Sequence, residues 1–291
     1  MRRSMSQRKI KLVVPAGRLR DPVMKLLADA GLTIQAQAND YRPLASDPRF
    51  EVKLLRAANI PKLIEFGAHD IGFSGLDWVR ETTAEVETLM DTGLMPVRIV
   101  SAAPVGSDPF ALARSRPVVA ASEYERLTTL YMNSRNVDWR YVRTHGATEV
   151  FPPEDADLIV DNVSTGRTLA ANNLAIVDEI LSSSTLFIAN RAALDDPDCR
   201  EAVEELRLLM QSVLDARQRV LLDMNVPASC LETVVQLLPA MKSPTIQPLY
   251  KDQGYALRAA VRREEVSRLI PLLKKAGASD LLQTDIQRVI A

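Results

Sequence analysis

Residues 158–174 read LIVDNVSTGRTLAANNL. An apolar, β-branched run delivers one acidic residue, Asp161, and passes at once into a Ser-Thr-Gly turn. Gly166 can take positive φ and lets the backbone approach a ligand closely. Successive amides from Ser164 to Thr168 would form an anion nest, and the hydroxyls of Ser164, Thr165 and Thr168 add donors without bulk. An ionised Asp161 only accepts hydrogen bonds, so its partners would be sugar hydroxyls or a hydrated cation. This is the chemistry of a phosphate cradle with a carboxylate beside it. A generic turn with a strand-end Asp reads the same way, and the local pattern leaves both open.

Two other loops have comparable residue types. In HDIGFSGLDW (69–78), Gly72 and Gly75 flank Ser74 at a strand-to-helix turn. In PAGRLRDP (15–22), Gly17 gives backbone access while Arg18 and Arg20 offer forks for phosphate oxygens. Each alone reads equally as a tight loop or as solvated arginines. Parallel strands, however, place their following loops on one sheet edge, so three such loops carry more weight together. His69 and His145 are too few and too far apart for a zinc site. His69 suits a structural strand-end position, and His145 falls near the expected cleft. No GxSxG, HExxH, Walker A or GxGxxG pattern occurs, which removes support for hydrolase, P-loop and Rossmann readings.

The elements that must position these loops alternate. IKLVV (10–14) is a compact strand, followed by a helix whose apolar spacing stops at Gly31. VKLLRA is a second strand, and NIPKLIEFGA a short helix with Asn59 as cap and Pro61 in its first turn. A second cycle begins after MPVRIVSAAPV. RPVVAAS is a strand, and SEYE (122–125) reads as a Ser-x-x-Glu capping box opening the next helix. DWRYVR is another strand, residues 167–174 read as the start of a helix, and TLFIAN (185–190) is a return strand. The alternation predicts an α/β fold with a parallel-type sheet in two lobes, one from 9–100 with 184–210 and one from 101–183. Two crossings between lobes leave a cleft, where ligands usually sit. A long helical connector then leads to a strand-helix-strand-strand-helix-strand (βαββαβ) order over 213–291, the ferredoxin-like signature.

The totals set limits. A chain of 291 residues with 47% hydrophobic and 25% charged residues is ordinary for a globular protein of two or three domains. A net charge of −1 gives no reason to expect nucleic acid or an anionic membrane as partner. Cys199 and Cys230 are solitary and fit small apolar packing residues in a reducing compartment. The basic start lacks the apolar core of a signal peptide, so residues 1–8 read as a disordered lead-in and the protein as cytoplasmic.

VVPAGRL, LLRAANIP, HDIGFSGLD, GATE and IVDNVSTGRTLAANNL occur in the order found in ATP phosphoribosyltransferases, and the chain resembles that family from residue 9 onward. LLDMNVP, KSPTIQPL and LKKAGASDLL resemble the regulatory domain of its long form. The resemblance implies a two-lobed, periplasmic-binding-protein-like catalytic core with a ferredoxin-like regulatory domain. It implies transfer of a 5-phosphoribosyl group from phosphoribosyl pyrophosphate to N1 of ATP, with Mg²⁺, as the first step of histidine biosynthesis. It also implies inhibition by histidine and dimers that assemble into hexamers. Asp161 and Glu149 would be catalytic, with Asp161, Ser164, Thr165, Gly166, Arg167 and Thr168 holding phosphoribosyl pyrophosphate. Gly17, Arg18, Arg56, Asp70, Gly72, Ser74 and Gly75 would line the ATP and pyrophosphate region. Asp223, Asn225 and Thr245 would meet the effector. Three departures stand out: Ala16 replaces a lysine, the link between Glu149 and Asp161 is a residue shorter and lacks a glycine, and Asn173 replaces a glycine. The loss of that lysine keeps a rival in view, a non-catalytic nucleotide-binding or phosphoribosyl-pyrophosphate-binding protein on the same scaffold. A secreted solute-binding protein is disfavoured by the missing signal peptide.

Overall fold

The computed structural model describes residues 8–35, 40–241 and 243–290. The lead-in expected over residues 1–8 lies, except for Arg8, outside them. Two compact units divide the chain: one from residues up to Lys25 with Leu32–Val203, the other from Leu26–Gly31 with Glu204 onward. Among the described residues no helix is long and apolar enough to cross a membrane.

The first unit is built on one eight-stranded sheet. In one lobe the strand Ile10–Pro15 lies between Phe50–Leu55 and Ile71–Gly75, all parallel. In the other, Val118–Ser122 lies between Trp139–Arg143 and Leu158–Val163, again parallel. Between these triplets run two long strands, Glu87–Pro104 and Leu174–Ala189, antiparallel to each other and to their neighbours. The sheet is therefore mixed, and only its lobes have the parallel pairing expected from the alternation of elements.

Register explains why a cleft forms. Gly75, the last residue of its strand, pairs with Thr185, and Val163, the last of its own, pairs with Arg98. Arg98 in turn pairs with Ser182. Both sets of parallel strands thus end against the same middle stretch of the crossing pair. Their following loops are delivered to one place from opposite directions.

Apolar packing fixes each lobe. Val13, Ile60, Ile64, Leu186 and Ile188 form a buried cluster in the first lobe, where Phe73 stacks on Phe187 with ring centroids 4.8 Å apart. In the second lobe Ile99 and Val100 point to opposite faces of the sheet and belong to different clusters, one around Tyr124, Tyr131 and Met132, the other around Ile159, Leu169 and Leu174. Cys199 is buried, as its reading as a packing residue requires.

The helix Ile60–Glu65 has Pro61 in its first turn, but Asn59 makes no capping hydrogen bond. The helix Glu125–Ser134 is not opened by a capping box. Ser122 Oγ accepts from the Tyr124 amide at 2.8 Å and donates to Val160 O at 2.6 Å. The free amides of Arg126 and Leu127 go instead to the Glu81 carboxylate, both at 2.9 Å, while Glu125 pairs with Arg143. A side chain from the helix Leu76–Thr82 therefore caps a helix of the other lobe.

The second unit contains a four-stranded antiparallel sheet in the order Thr245–Pro248, Tyr255–Arg262, Arg219–Val226, Ser279–Asp285. With the helices Leu231–Leu237 and Val266–Lys275 this is the ferredoxin-like arrangement expected from the sequence. Val220, Leu222, Met224 and Val226 alternate into its core, against Val234, Leu269 and Leu273, and half-buried Cys230 packs on that cluster.

Truncating Phe187 to Ala removes its stacking on Phe73 from a fully buried position. It should cost about 3–5 kcal/mol, measured as the loss of unfolding free energy in urea; a change within 1 kcal/mol would show the ring is dispensable.

Candidate functional site

Six loops reach the middle of the crossing strands, and they enclose two adjoining cavities in the first unit. The first, about 350 Å³, is lined by Asp161, Ser164, Thr165, Gly166 and Thr168, together with Gly146 to Glu149. The second, about 220 Å³, has apolar walls from Ala16, Leu19, Ala57, Trp78, Met95, Val97 and Tyr124. Arg18, Glu123, Asn162 and Ser164 line both.

The first cavity is polar because of the turn after strand Leu158–Val163. Gly166 sits at φ 77° just before the helix Arg167–Ala171, a conformation that L side chains rarely take. That helix has only five residues, shorter than the sequence suggested, because the chain turns at Asn173 with φ 55° and enters the crossing strand. Asn173 thus takes the left-handed backbone for which a glycine is the usual choice. Gly17, at φ 76°, turns the chain so that Arg18 enters the cleft, where its guanidinium donates to Asn162 Oδ1 at 3.1 Å.

A buried hydrogen-bond chain underlies the shared wall. Asp77 is 5% exposed; one of its oxygens accepts from Ser183 Oγ at 2.6 Å and the other from the Tyr124 hydroxyl at 2.8 Å. The Asp77 amide donates back to Ser183 Oγ at 3.0 Å. Asn162 Nδ2 reaches both Tyr124 Oη at 3.3 Å and Asp161 Oδ1 at 3.1 Å, and the Asn162 amide also donates to that Asp161 oxygen at 2.6 Å. Trp78 stacks on Tyr124 with centroids 4.5 Å apart. Gly75 makes this possible, since a Cβ there would lie 2.0 Å from Asp77 Oδ1. Burial, and next the Asp77 carboxylate beside it, push the Tyr124 phenol far above its ordinary value, so it stays a donor.

Asp161 is the electrostatic centre. Burial pushes its carboxyl up to about 6, the Asn162 amide works against that rise, and the Glu149 and Glu123 carboxylates add to it. Three acidic side chains converge with only Arg18 among the causes that favour the charged form besides the amide. The site is therefore short of positive charge. Among the described residues no group of three or more His, Cys, Asp and Glu could hold a metal by itself.

The remaining candidates fall elsewhere. Asp70 precedes strand Ile71–Gly75 and so lies at the opposite sheet edge, buried, ion-paired to Arg8 and accepting from the Lys11 amide at 2.8 Å. It does not join the cleft. Gly72 packs inside the sheet, where a Cβ would lie 2.4 Å from Val13 Cγ1, and Ser74 is buried and donates to Ala57 O at 2.9 Å. Both shape the loop and touch neither cavity. Arg56, Arg167 and His145 are exposed and outside both linings. His69 is buried, with Nδ1 unpartnered and its imidazole pushed down by burial and by Lys53 and Lys11. In the second unit Asp223 accepts from Arg258 Nε at 2.6 Å, Thr245 stands opposite Arg258 in strand register, and Asn225 donates to Asp280 Oδ2 at 2.9 Å.

Sequence reasoning missed Asp77, Trp78, Glu123, Tyr124 and Asn162. Their signals were present: Asn162 follows Asp161, Asp77 and Trp78 follow Gly75, and Glu123 and Tyr124 lie inside the supposed capping box.

Fold and site together define a two-lobed α/β protein with a polar cavity adjoining a partly apolar one. The ATP phosphoribosyltransferase family profile matches residues 56–212, and that of the C-terminal domain of the same family matches residues 216–288. The ATP phosphoribosyltransferase of Chlorobium phaeovibrioides is 38% identical over 292 residues, covering 99% of each chain. That of Pelotomaculum thermopropionicum is 36% identical, covering 97% of this chain and 99% of its own. Among solved structures, a chain of the ATP phosphoribosyl transferase (HisG:HisZ) complex from Thermotoga maritima superposes with a TM-score of 0.61 at 27% identity, covering 69% of this chain and 98% of that one. The chain belongs to the ATP phosphoribosyltransferase family, in its long form with the C-terminal domain.

The raised Asp161 carboxyl has a stability consequence. Its ordinary value is 3.8 and its folded value about 6, so the native state binds this proton more tightly than the unfolded chain. Wild type should therefore lose about 2 kcal/mol relative to Asp161→Asn as pH rises from 4 to 6. Urea midpoints of both chains across that range check this, and parallel curves would contradict the shift.

Proposed function

We propose that the chain catalyses the transfer of the 5-phosphoribosyl group from phosphoribosyl pyrophosphate to N1 of ATP, releasing pyrophosphate, the first step of histidine biosynthesis. The observation that carries this reading is the pair of cavities with a common wall, one hydroxyl- and glycine-lined around Asp161, the other walled by Trp78 and Tyr124. The first suits a 5-phosphate on the Ser164–Thr168 turn with the ribose hydroxyls donating to Asp161. The second suits a purine plane. Glu149 stands on the phosphoribosyl side. Arg18, lining both, would meet pyrophosphate oxygens, a task not shared here by a lysine because residue 16 is Ala. Displacement at an anomeric carbon with a good leaving group needs alignment and charge neutralisation more than a strong base. Among the described residues that line the cleft, no hydroxyl is paired with a histidine base.

A divalent cation, Mg²⁺, fits the acidic cluster. Asp161 and Glu149 would hold it together with substrate oxygens, since Mg²⁺ favours one or two carboxylates plus phosphates over an all-protein cage. Bound there, it would neutralise charge on the departing pyrophosphate. The second unit is the place for feedback: histidine would bind near Asp223, Asn225 and Thr245. Dimers assembling to hexamers in the cytoplasm complete the reading. The Thermotoga maritima chain superposes in a complex of two proteins, whereas this chain carries a C-terminal unit of its own, which argues against need of an accessory subunit.

Incubating the protein with ATP, Mg²⁺ and phosphoribosyl pyrophosphate, with pyrophosphatase present, should give the ultraviolet change of N1-alkylated adenine. No product at high enzyme concentration would favour the non-catalytic alternative. Asp161→Ala should lose about 1.5–3 kcal/mol of transition-state stabilisation, and unchanged kcat/KM would remove it from the site. Gly166→Ala should weaken phosphoribosyl pyrophosphate binding by about 1–2 kcal/mol, the cost of left-handed backbone, as read by calorimetry; wild-type affinity would contradict the nest. Asp223→Ala should raise the histidine concentration needed for inhibition about tenfold, the loss of one charged hydrogen bond, and an unshifted inhibition curve would place the effector elsewhere.

A further inference from the structure

Glu123 is the one acidic side chain that lines both cavities and has no part in the buried hydrogen-bond chain. Its backbone position is clamped from both sides. Ser122 is tied to Val160 O, and the Tyr124 hydroxyl to Asp77. Among the described residues its carboxylate has no hydrogen-bond or ion-pair partner within the protein. It is half-buried. A carboxylate held in place, unpartnered, and lining the same cavity as Asp161 and Glu149 is a cost to the cleft by itself. Such a cost is offset where positive charge arises during the reaction.

Phosphoribosyl transfer creates that charge on the purine. The N1 lone pair forms the bond to the anomeric carbon. The bond from that carbon to the pyrophosphate oxygen breaks, and its electron pair leaves with pyrophosphate. The purine is left with a positive charge shared between N1 and the exocyclic nitrogen on C6. A fixed carboxylate at that edge is worth more in the transition state than in the ground state, which is the condition for catalysis.

We propose that Glu123 accepts a hydrogen bond from the exocyclic amino group of the bound purine, stabilising the charge that develops across N1 and that nitrogen and selecting 6-amino over 6-oxo purines. No proton has to move in the step. A 6-oxo purine would turn an acceptor oxygen towards the carboxylate, so two acceptors would face each other. The inference rests on the phosphoribosyl-transfer reading and adds to it the residue that recognises the nucleophile.

The variant Glu123→Gln keeps the shape, removes the charge and adds an amide donor. Its kcat should fall about 100-fold, on the scale of losing one preorganised electrostatic contact, with KM for ATP changed less than about threefold. Calorimetric affinity for phosphoribosyl pyrophosphate should be retained or improved, because one repelling carboxylate is gone. ITP, added as an inhibitor, should bind the variant about tenfold more tightly than wild type, since the new amide can donate to O6. Wild-type kcat in the variant overturns the proposal. So does a parallel loss of phosphoribosyl pyrophosphate affinity, or an unchanged preference for ATP over ITP. If wild type binds both substrates and forms no product, the transfer reading fails by itself, and the ITP comparison still decides whether Glu123 reads the amino group.

Discussion

The antiparallel pairing of Glu87–Pro104 with Leu174–Ala189 governs the molecule's chemistry. Each of these strands leaves one lobe and serves the other, so neither lobe's sheet is complete alone. Because the parallel triplets stop at Thr185 on one side and Arg98 on the other, loops far apart in sequence are delivered to a single cleft. Everything that could act on a substrate hangs from this pair. The buried Asp77 carboxylate is the second constraint. It accepts from Ser183 on a crossing strand and from Tyr124 in the other lobe. A carboxyl group so buried is tolerable only with its hydrogen-bond partners in place, which binds the two lobes' loops to one geometry.

Much of this was legible in the residues. The Asp161–Gly166 turn, the positive φ at Gly17 and Gly166, and the acceptance of left-handed backbone by Asn173 follow from residue type and position alone. The tail's strand order followed from periodicity, because Arg219–Val226 alternates buried and half-buried side chains along its length. That loops after parallel strands share one sheet edge is a property of parallel pairing, legible without the structure.

Other features were hidden for physical reasons. The crossing strands are long but amphipathic, with exposed Ile176, Val177 and Glu179 near one end, so their first halves do not look like core strands. Helix capping by Glu81 is a contact between distant segments, which a local Ser-x-x-Glu pattern cannot reveal. Asp70 was grouped with the cleft because it adjoins Gly72 and Ser74 in sequence. A strand's two ends lie on opposite edges of the sheet, so a difference of five residues separates Asp70 from Gly75 by the whole strand.

The common wall of the two cavities has an energetic consequence. Arg18, Glu123, Asn162 and Ser164 meet whatever occupies either side, so the affinities of the two occupants are thermodynamically linked, and each must alter the other's by the same factor. The order in which they enter then becomes a kinetic matter only. A single molecule joining both groups through a short tether would collect both sets of contacts while losing its freedom of motion once. Such a tether would pass over Asn162, which lines both cavities.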